Sequence, residues 1–384
     1  MTKSNTESPA SWHRGYAPFD TTEWRALEPD CGPFVDLRFL ASLETTGCVG
    51  ASSGWQPAPV AISADDQPTV LAPLWLKSHS HGEFVFDWAW ARAAHSAGIA
   101  WYPKLLVAAP YSPVTGPRLL GAGAHTEAAG QLIEAIEHRV VSRRLSSAGV
   151  NFCNDTDAAL LRQAGWLERF DWQFHWHNPG YRDFDDFLSC LRSKARKNIR
   201  AERRRVKRDG WNFRWVDGAS ITPRLLDLVD ACYQTTFNAY GNLPSLNREM
   251  FAACARRFGK QFLVCVASQE DRDQAVAVFF RDRERLYGRY WGNLKDTRNV
   301  HFECCYYQGI SYCIDQGLTW FEPGAQGEHK IRRGFLPVRT TSFHFIAHPG
   351  MRHAVARFLR AEAVALNDYR RQLDRLDPYA DVSD

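Results

Sequence analysis

Apolar positions along this chain follow two rhythms, a helical one near 3.6 residues and a strand-like one of two, and their succession runs twice. Residues 33–46 carry apolar side chains at 34, 35, 37, 40 and 43, a helical stripe. Residues 59–62 and 69–76 read as strands joined through the Asp65-Asp66 turn. Residues 77–120 are rich in aromatics and lack a clear period, and their tail, 105–117, reads as a strand leaving through a Pro/Gly-punctuated loop. An amphipathic helix over 125–145, a strand-like 149–153, a short helix over 157–164 and an alternating strand over 170–177 complete the first half.

The second half repeats the order. Residues 184–208 form a long helix, with its basic part at 188–208, and 211–216 a strand; 223–236 and 247–258 are helices. Residues 262–267 and 275–280 pair across a turn at 269–274 and continue into 285–291. A helix over 302–316 stops at Gly317, as a C-cap glycine would stop it. Strands at 319–322 and 340–346 and a charged closing helix at 352–376 end the chain. The expected fold is α+β, a mixed sheet flanked by helices in each half. A polar, disordered 1–15 precedes an N-terminal domain at 16–180 and a C-terminal domain at 181–384, which suits 384 residues. No GxGxxG follows a first strand, which argues against dinucleotide binding.

Composition changes this picture little. With 45% hydrophobic and 23% charged residues the chain is ordinary globular protein, and a net charge of +4 means that any nucleic-acid case rests on local clustering. Ten cysteines form no Cys-x-x-Cys pair and mostly sit in apolar runs, so free thiols in a reducing compartment are expected, with no metal site. The N-terminus has no apolar signal core, and no run reaches the ~20 apolar residues of a membrane span. A cytoplasmic protein with no membrane partner is the expectation.

The segment Glu322-Pro-Gly-Ala-Gln-Gly-Glu-His-Lys-Ile-Arg-Arg-Gly-Phe335 concentrates the candidate chemistry. Gly324 and Gly327 permit a sharp turn or close backbone approach to a ligand. Lys330, Arg332 and Arg333 offer donors to phosphate oxygens, while Glu328 and His329 suit proton transfer. An exposed polar loop with a chance cluster of charges accounts for the same string. A second constellation is the basic helix, in which ten of residues 192–208 are Lys or Arg against one acid, Glu202. Leu188, Leu191, Ala195, Ile199 and Val206 give it a narrow docking stripe. Repulsion between like charges such as Arg196/Arg200 is offset by a polyanion partner, or else the face is merely solvated. A third group, at residues 79–90, sets His79, Glu83 and Asp87 beside Trp88, with Tyr102 following; the spacing matches no zinc pattern and reads as an aromatic-walled ligand pocket or as core. The glycines of Tyr287-Gly-Arg-Tyr-Trp-Gly-Asn293 mark a splayed strand or a β-bulge.

These residues resemble a known group. Residues 184–335 resemble the second domain of the FemABX peptidyltransferases, through Arg196-Lys-Asn-Ile-Arg, Leu286-Tyr-Gly-Arg-Tyr290, Trp320-Phe-Glu and Arg332-Arg-Gly-Phe335, the last similar to that family's Phe-Lys-x-Gly-Phe. Over residues 20–380 the strings Tyr102-Pro-Lys-Leu, Pro113-Val-Thr-Gly-Pro-Arg-Leu and Gly324-Ala-Gln-Gly-Glu-His-Lys are similar to the bacterial peptidoglycan biosynthesis/recognition group of GNAT-related proteins, with His81 and Phe84 where that group often has Tyr. The resemblance implies two tandem GNAT-like domains and acyl transfer to an amine. Residues 293–301 lack the glycine pattern with which ordinary GNAT enzymes hold acetyl-CoA, and FemABX proteins, which lack it too, use aminoacyl-tRNA. On that footing Lys330, Arg332 and Arg333 would hold the donor's terminal phosphates, and Tyr290 or backbone amides near Trp291 would face the oxyanion. Glu328 or His329 would take the proton. Lys194, Arg196, Lys197, Arg200, Arg203, Arg204 and Lys207 would grip RNA. His79, Glu83, Asp87, Trp88, Tyr102 and Trp291 would line the pocket of a small-molecule amine acceptor. No cofactor is implied. An acyl-CoA donor, and a non-catalytic binder of RNA or cell-wall precursor, are the competing readings.

Overall fold

A computed structural model describes residues 10–65, 67–239, 241–295, 297, 299–325 and 327–380. The expected turn residue Asp66 and hook residue Gln326, with Asp296 and Arg298 of the 293–301 stretch, lie outside the described residues, as do 1–9 of the expected disordered start. Its remainder is ordered: Ala10–Trp12 is a strand paired antiparallel with Val60–Ala64, and the Arg139 guanidinium lies 3.8 Å from the Trp12 ring. The chain forms two compact units, one of residues 1–171 and 340–365, the other of 172–339 and 366–384. The boundary thus falls nine residues before the expected 180, and 26 later residues rejoin the first unit. Contiguous domains cannot be told from this arrangement by periodicity, because the crossing points lie inside regular elements, the strands Leu167–His177 and Leu336–Ile346 and the helix Pro349–Asp374.

Each unit holds a mixed sheet with a single parallel pair. In the first, the order is Trp55–Pro57, Leu74–Lys77, Lys104–Val107, Ser147–Val150 and residues 343–346, with Lys104–Val107 and Ser147–Val150 parallel. Parallel neighbours need a crossover, and the helix Thr126–Ser142 supplies it, burying Leu132, Ile133, Ile136 and Val140. Pro73 breaks the expected 69–76 strand, so that Gln67–Ala72 joins a separate three-stranded sheet. The aperiodic 77–120 stretch contains a helix, Trp88–Ser96.

In the second unit the order is residues 176–177, Trp320–Glu322, Arg285–Asn293, Arg272–Arg281, Phe262–Gln269 and Trp211–Asp217, with Arg285–Asn293 and Trp320–Glu322 parallel. The hairpin turns tightly on Glu270 and Asp271, both at positive φ, which twists correctly for a two-residue turn. One sheet face packs on the helices Pro223–Ala239 and Arg248–Phe258, and the other on the apolar stripe of the basic helix and on the helix Gln308–Asp315. Gly292 is required by the first contact: a Cβ there would lie 1.9 Å from the Cys232 carbonyl oxygen.

Two helices differ from expectation. The 184–208 helix is two, Phe184–Ser189 and Ser193–Arg208, because Arg192 is extended and its N–H bonds Pro378 O while Leu191 bridges Tyr379. The 302–316 helix begins at Val300, passes through a π turn at Glu303–Tyr307, and continues as Gln308–Asp315. Gly317 adopts φ +64 at its end, as its C-cap role demands.

Candidate active site

The hook grows out of the strand Trp320–Glu322. Its turns fall on Gly324, Gly327 and Gly334, with φ of 102, 117 and 94, and between the last two lies a 3-10 turn, Glu328–Arg333. Left-handed backbone at three points is what the glycines allow and other residues resist. Ile331 and Phe335 are fully buried and pin the hook to the unit's core.

Two cations of the hook face inward. Lys330 is 3% exposed and its Nζ donates to Gly324 O at 2.7 Å, closing the loop on itself. Burial lowers its pKa to about 7, and the nearby Arg289 guanidinium pushes the same way. Arg333 is tied on three sides, by Nε to Tyr307 Oη at 3.0 Å, Nη1 to His329 O at 2.8 Å and Nη2 to Glu202 at 2.8 Å, and its guanidinium lies 3.7 Å from the Phe302 ring. Lys330 and Arg333 are therefore not the outward phosphate donors expected of them; Arg332 is the exposed cation of the hook. His329 shares a 3.0 Å hydrogen bond with the Tyr306 hydroxyl. Partial burial, then Arg333 and Lys330, lower its pKa and keep the imidazole neutral. Glu328 accepts a 2.6 Å bond from the Tyr369 hydroxyl.

Glu328, His329 and Arg332 open onto a cleft of about 380 Å³ whose opposite wall is the basic helix, at Asn198, Ile199 and Glu202. Glu202, the lone acid of that helix, joins Arg333 and the Tyr307 hydroxyl, so the charge that breaks the basic run fastens the hook to it. Aromatic rings continue the floor: Tyr306 lies 5.8 Å from His329 and 5.5 Å from His301, and His301 lies 5.4 Å from Trp291. Burial, with His329, Lys330 and Arg333 nearby, takes His301 down to about 4, so it too is neutral. Parallel pairing of Arg285–Asn293 ends at Tyr287↔Glu322, where its neighbour turns off into the hook, and the register shifts on the other side between Val278 and Phe279. Residues 288–293 thus leave the hook's strand, the expected splay with a bulge beside it. Tyr290, expected at the oxyanion, is on the wrong face of that strand: it packs 5.2 Å from Tyr233 and 5.9 Å from Phe251, whereas Trp291 shares the face of His301. Alternation along one strand separates them.

The basic helix divides into anchors and exposed cations. Arg203 is paired with Glu303 at 3.1 Å and lies over Phe184, and Arg196 donates to Ser189 O and Leu191 O, so Arg203 is a packing residue rather than an RNA contact. Arg200 meets Asp185 at 2.9 Å on the surface. Lys194, Lys197, Arg204 and Lys207 are exposed, and Arg204 and Lys207 with Arg205 and Arg208 line one shallow surface depression.

The expected acceptor pocket does not form as a pocket. Glu83 and Asp87 are buried, with Lys104 Nζ at 2.8 and 2.6 Å from them and Lys77 at 4.0 Å from Glu83. Ser80 bonds Asp87 and Tyr102, the latter at 2.8 Å, and the Trp101 indole donates to Asp87 at 2.8 Å. Burial lifts Glu83 to about 7 against the pull of Lys104; Asp87, despite burial, is held below its ordinary value by the same ammonium. The enclosed space beside them measures about 10 Å³, room for one water. His79 stacks edgewise on His81, Trp88 is exposed, and Trp291 belongs to the second unit. Lysines inside the apolar strands at 77 and 104 were the sequence signal for this ion-pair cluster. Among the described residues no group of three or more His, Cys, Asp or Glu is placed to hold a metal, and no helix is long and apolar enough to cross a membrane.

Known structures share this architecture. The C-terminal domain of a putative lysylphosphatidylglycerol synthetase from Agrobacterium fabrum matches with TM-score 0.55 at 9% identity, covering 92% of this chain and 98% of that one. The crystal structure of FemX matches with TM-score 0.54 at 10% identity, covering 90% and 100%. At such identities these likenesses establish the fold alone, α+β with mixed sheets flanked by helices. No curated protein matches. The family profile of FemAB-like proteins, described by peptidoglycan biosynthesis/recognition, matches residues 16–381, and this chain belongs to that family.

Proposed function

We propose that the protein is an N-acyltransferase that moves an aminoacyl group from aminoacyl-tRNA to an amine. The observation that carries this is one cleft in the second unit, walled on one side by the basic helix and on the other by a hook that presents Glu328, His329 and Arg332, with Lys330 buried behind them. The amine nitrogen attacks the ester carbonyl carbon; a C–N bond forms and the C–O bond to the carrier's ribose breaks. Neutral His329 takes the amine proton, held in place by Tyr306. Lys330, protonated in part near pH 7, stabilises the oxyanion and returns a proton to the leaving oxygen. Arg332 and the exposed cations at 194, 197, 204 and 207 hold phosphates. Because the ester is already activated, positioning carries most of the catalysis and no cofactor is needed. The acceptor is a cell-wall precursor or a smaller metabolite bearing a primary amine.

The splay between residues 288–293 and the hook also favours a second donor, an acyl-CoA, because it opens the sheet between two neighbouring strands to an extended acyl chain. One experiment separates the two. Purified protein is mixed with charged tRNA and an amine acceptor, with and without RNase pretreatment of the tRNA, and in parallel with acyl-CoA. Product that vanishes with RNase and is not formed from acyl-CoA is expected. Product that survives RNase, or that acyl-CoA alone supports, overturns the tRNA assignment.

A further inference from the structure

The acids of residues 79–88 point inward and the aromatics point outward. Glu83 and Asp87 are 4% and 3% exposed, whereas Phe84, Phe86 and Trp88 are 37%, 38% and 45% exposed. The loop is held on its inner side at every step: Trp55 Nε1 donates to His81 O at 3.1 Å, Arg169 Nη1 donates to Phe86 O at 2.7 Å, and Lys104 grips both acids. Phe84 is kept at φ +60, a conformation a bulky residue avoids unless its surroundings impose it. Phe86 and Trp88 stack with centroids 4.5 Å apart, so the protruding rings form one apolar surface rather than separate slots. Phe358, 40% exposed, lies 6.2 Å from the buried Trp90 ring.

A buried four-charge cluster is costly, and a soluble surface has no use for three rigidly presented aromatic rings. The charged and titratable side chains exposed within residues 78–99 are His81, Arg92 and His95, with half-buried His79; the stretch exposes no acid. We propose that Phe84, Phe86 and Trp88 form an interfacial anchor that docks the first unit onto an anionic phospholipid bilayer. Trp and Phe favour the boundary between headgroups and acyl chains, and Arg92, with no exposed acid on this stretch to oppose it, answers the negative surface. A nucleic-acid strand fits less well. It would need a row of cations along its phosphates, which this face lacks and the helix Ser193–Arg208 has, and the mutual stacking of Phe86 and Trp88 covers faces that bases would use. The expected absence of a membrane partner rested on the lack of a spanning segment, which does not bear on surface docking.

The test is co-sedimentation of the full chain with vesicles of phosphatidylglycerol and phosphatidylcholine, and with phosphatidylcholine alone. The variants are Trp88→Ala, Phe86→Ser, Arg92→Glu and, on the basic helix, Arg204→Glu with Lys207→Glu. Near-UV circular dichroism and the melting temperature verify folding, and two independent ring deletions guard against one misfolding. Binding to the anionic vesicles is expected, with about a tenfold loss of partitioning for each ring removed and a smaller, salt-sensitive loss for Arg92→Glu. Binding that follows only the basic-helix substitutions, or none at all, overturns the proposal. So does a change of oligomeric state or of tRNA affinity in the ring variants without a change in vesicle binding.

Discussion

Lysine 330 gives up nearly all its hydration and recovers a single hydrogen bond, to Gly324 O. Charging it is unfavourable enough to bring its pKa to about 7, which places a titration inside the working range of the proposed reaction. If its ammonium stabilises the oxyanion, the rate of transfer falls as pH rises above about 7. Lys330→Met is expected to lower kcat about 10²- to 10³-fold, the usual loss for one oxyanion donor. Lys330→Arg keeps the charge at all pH values, so any activity it retains should lack the alkaline limb. A pH–rate profile of the three proteins decides this, and an unchanged limb in Lys330→Arg removes Lys330 from the proton inventory. At this scale the sequence reported which residues carry charge but not which partners neutralise it. Arg333 and Glu202 were both visible as letters, yet their ion pair spans 131 positions, and the face assignment of Tyr290 needed the strand register.

Elements were more legible than side chains. The alternating strands, the hairpin at Glu270-Asp271 and the cap at Gly317 follow from local pattern and turn chemistry, and the structure places them within a few residues of expectation. What failed was the continuity of the basic helix, because its break at 190–192 is imposed by residues 378–380, far along the chain. For the helix Ser193–Arg208 the structure distinguishes two classes of arginine, and the distinction is measurable. Arg204→Glu with Lys207→Glu should weaken tRNA binding and reduce the slope of log Kd against log salt by about two, with little effect on melting. Arg203→Met should instead lower the melting temperature, since it strands the buried Glu303, while leaving the salt slope close to wild type. Titrations at several salt concentrations, paired with thermal melts, check both; equal salt slopes for the two variants would contradict the division.

Over the whole molecule, tandem α+β units were readable from the doubled order of elements, whereas the return of residues 340–365 to the first unit was not, since no composition shift marks it. The stability of that first unit carries its own pH signature through Glu83. Its folded pKa of about 7 lies above the unfolded carboxyl value, so the folded state binds the proton more tightly. The contribution of this group is complete below the unfolded pKa and is lost as pH rises through about 7. Glu83→Gln, which holds no titrating proton, should therefore gain on the wild type in melting temperature between pH 6 and pH 8.5. A difference in melting temperature that stays constant across that interval would show that Glu83 does not titrate there.

Gly292 has a consequence for what the catalyst can accommodate. With Cys232 O only 1.9 Å from where a side chain would begin, the strand carrying Trp291 is seated backbone-to-backbone on the helix Pro223–Ala239. That wall has no slack. On the proposed function, adaptation to cargo of different bulk then falls to the glycine-jointed hook, and substrate breadth becomes a property of one short loop rather than of the sheet it leaves.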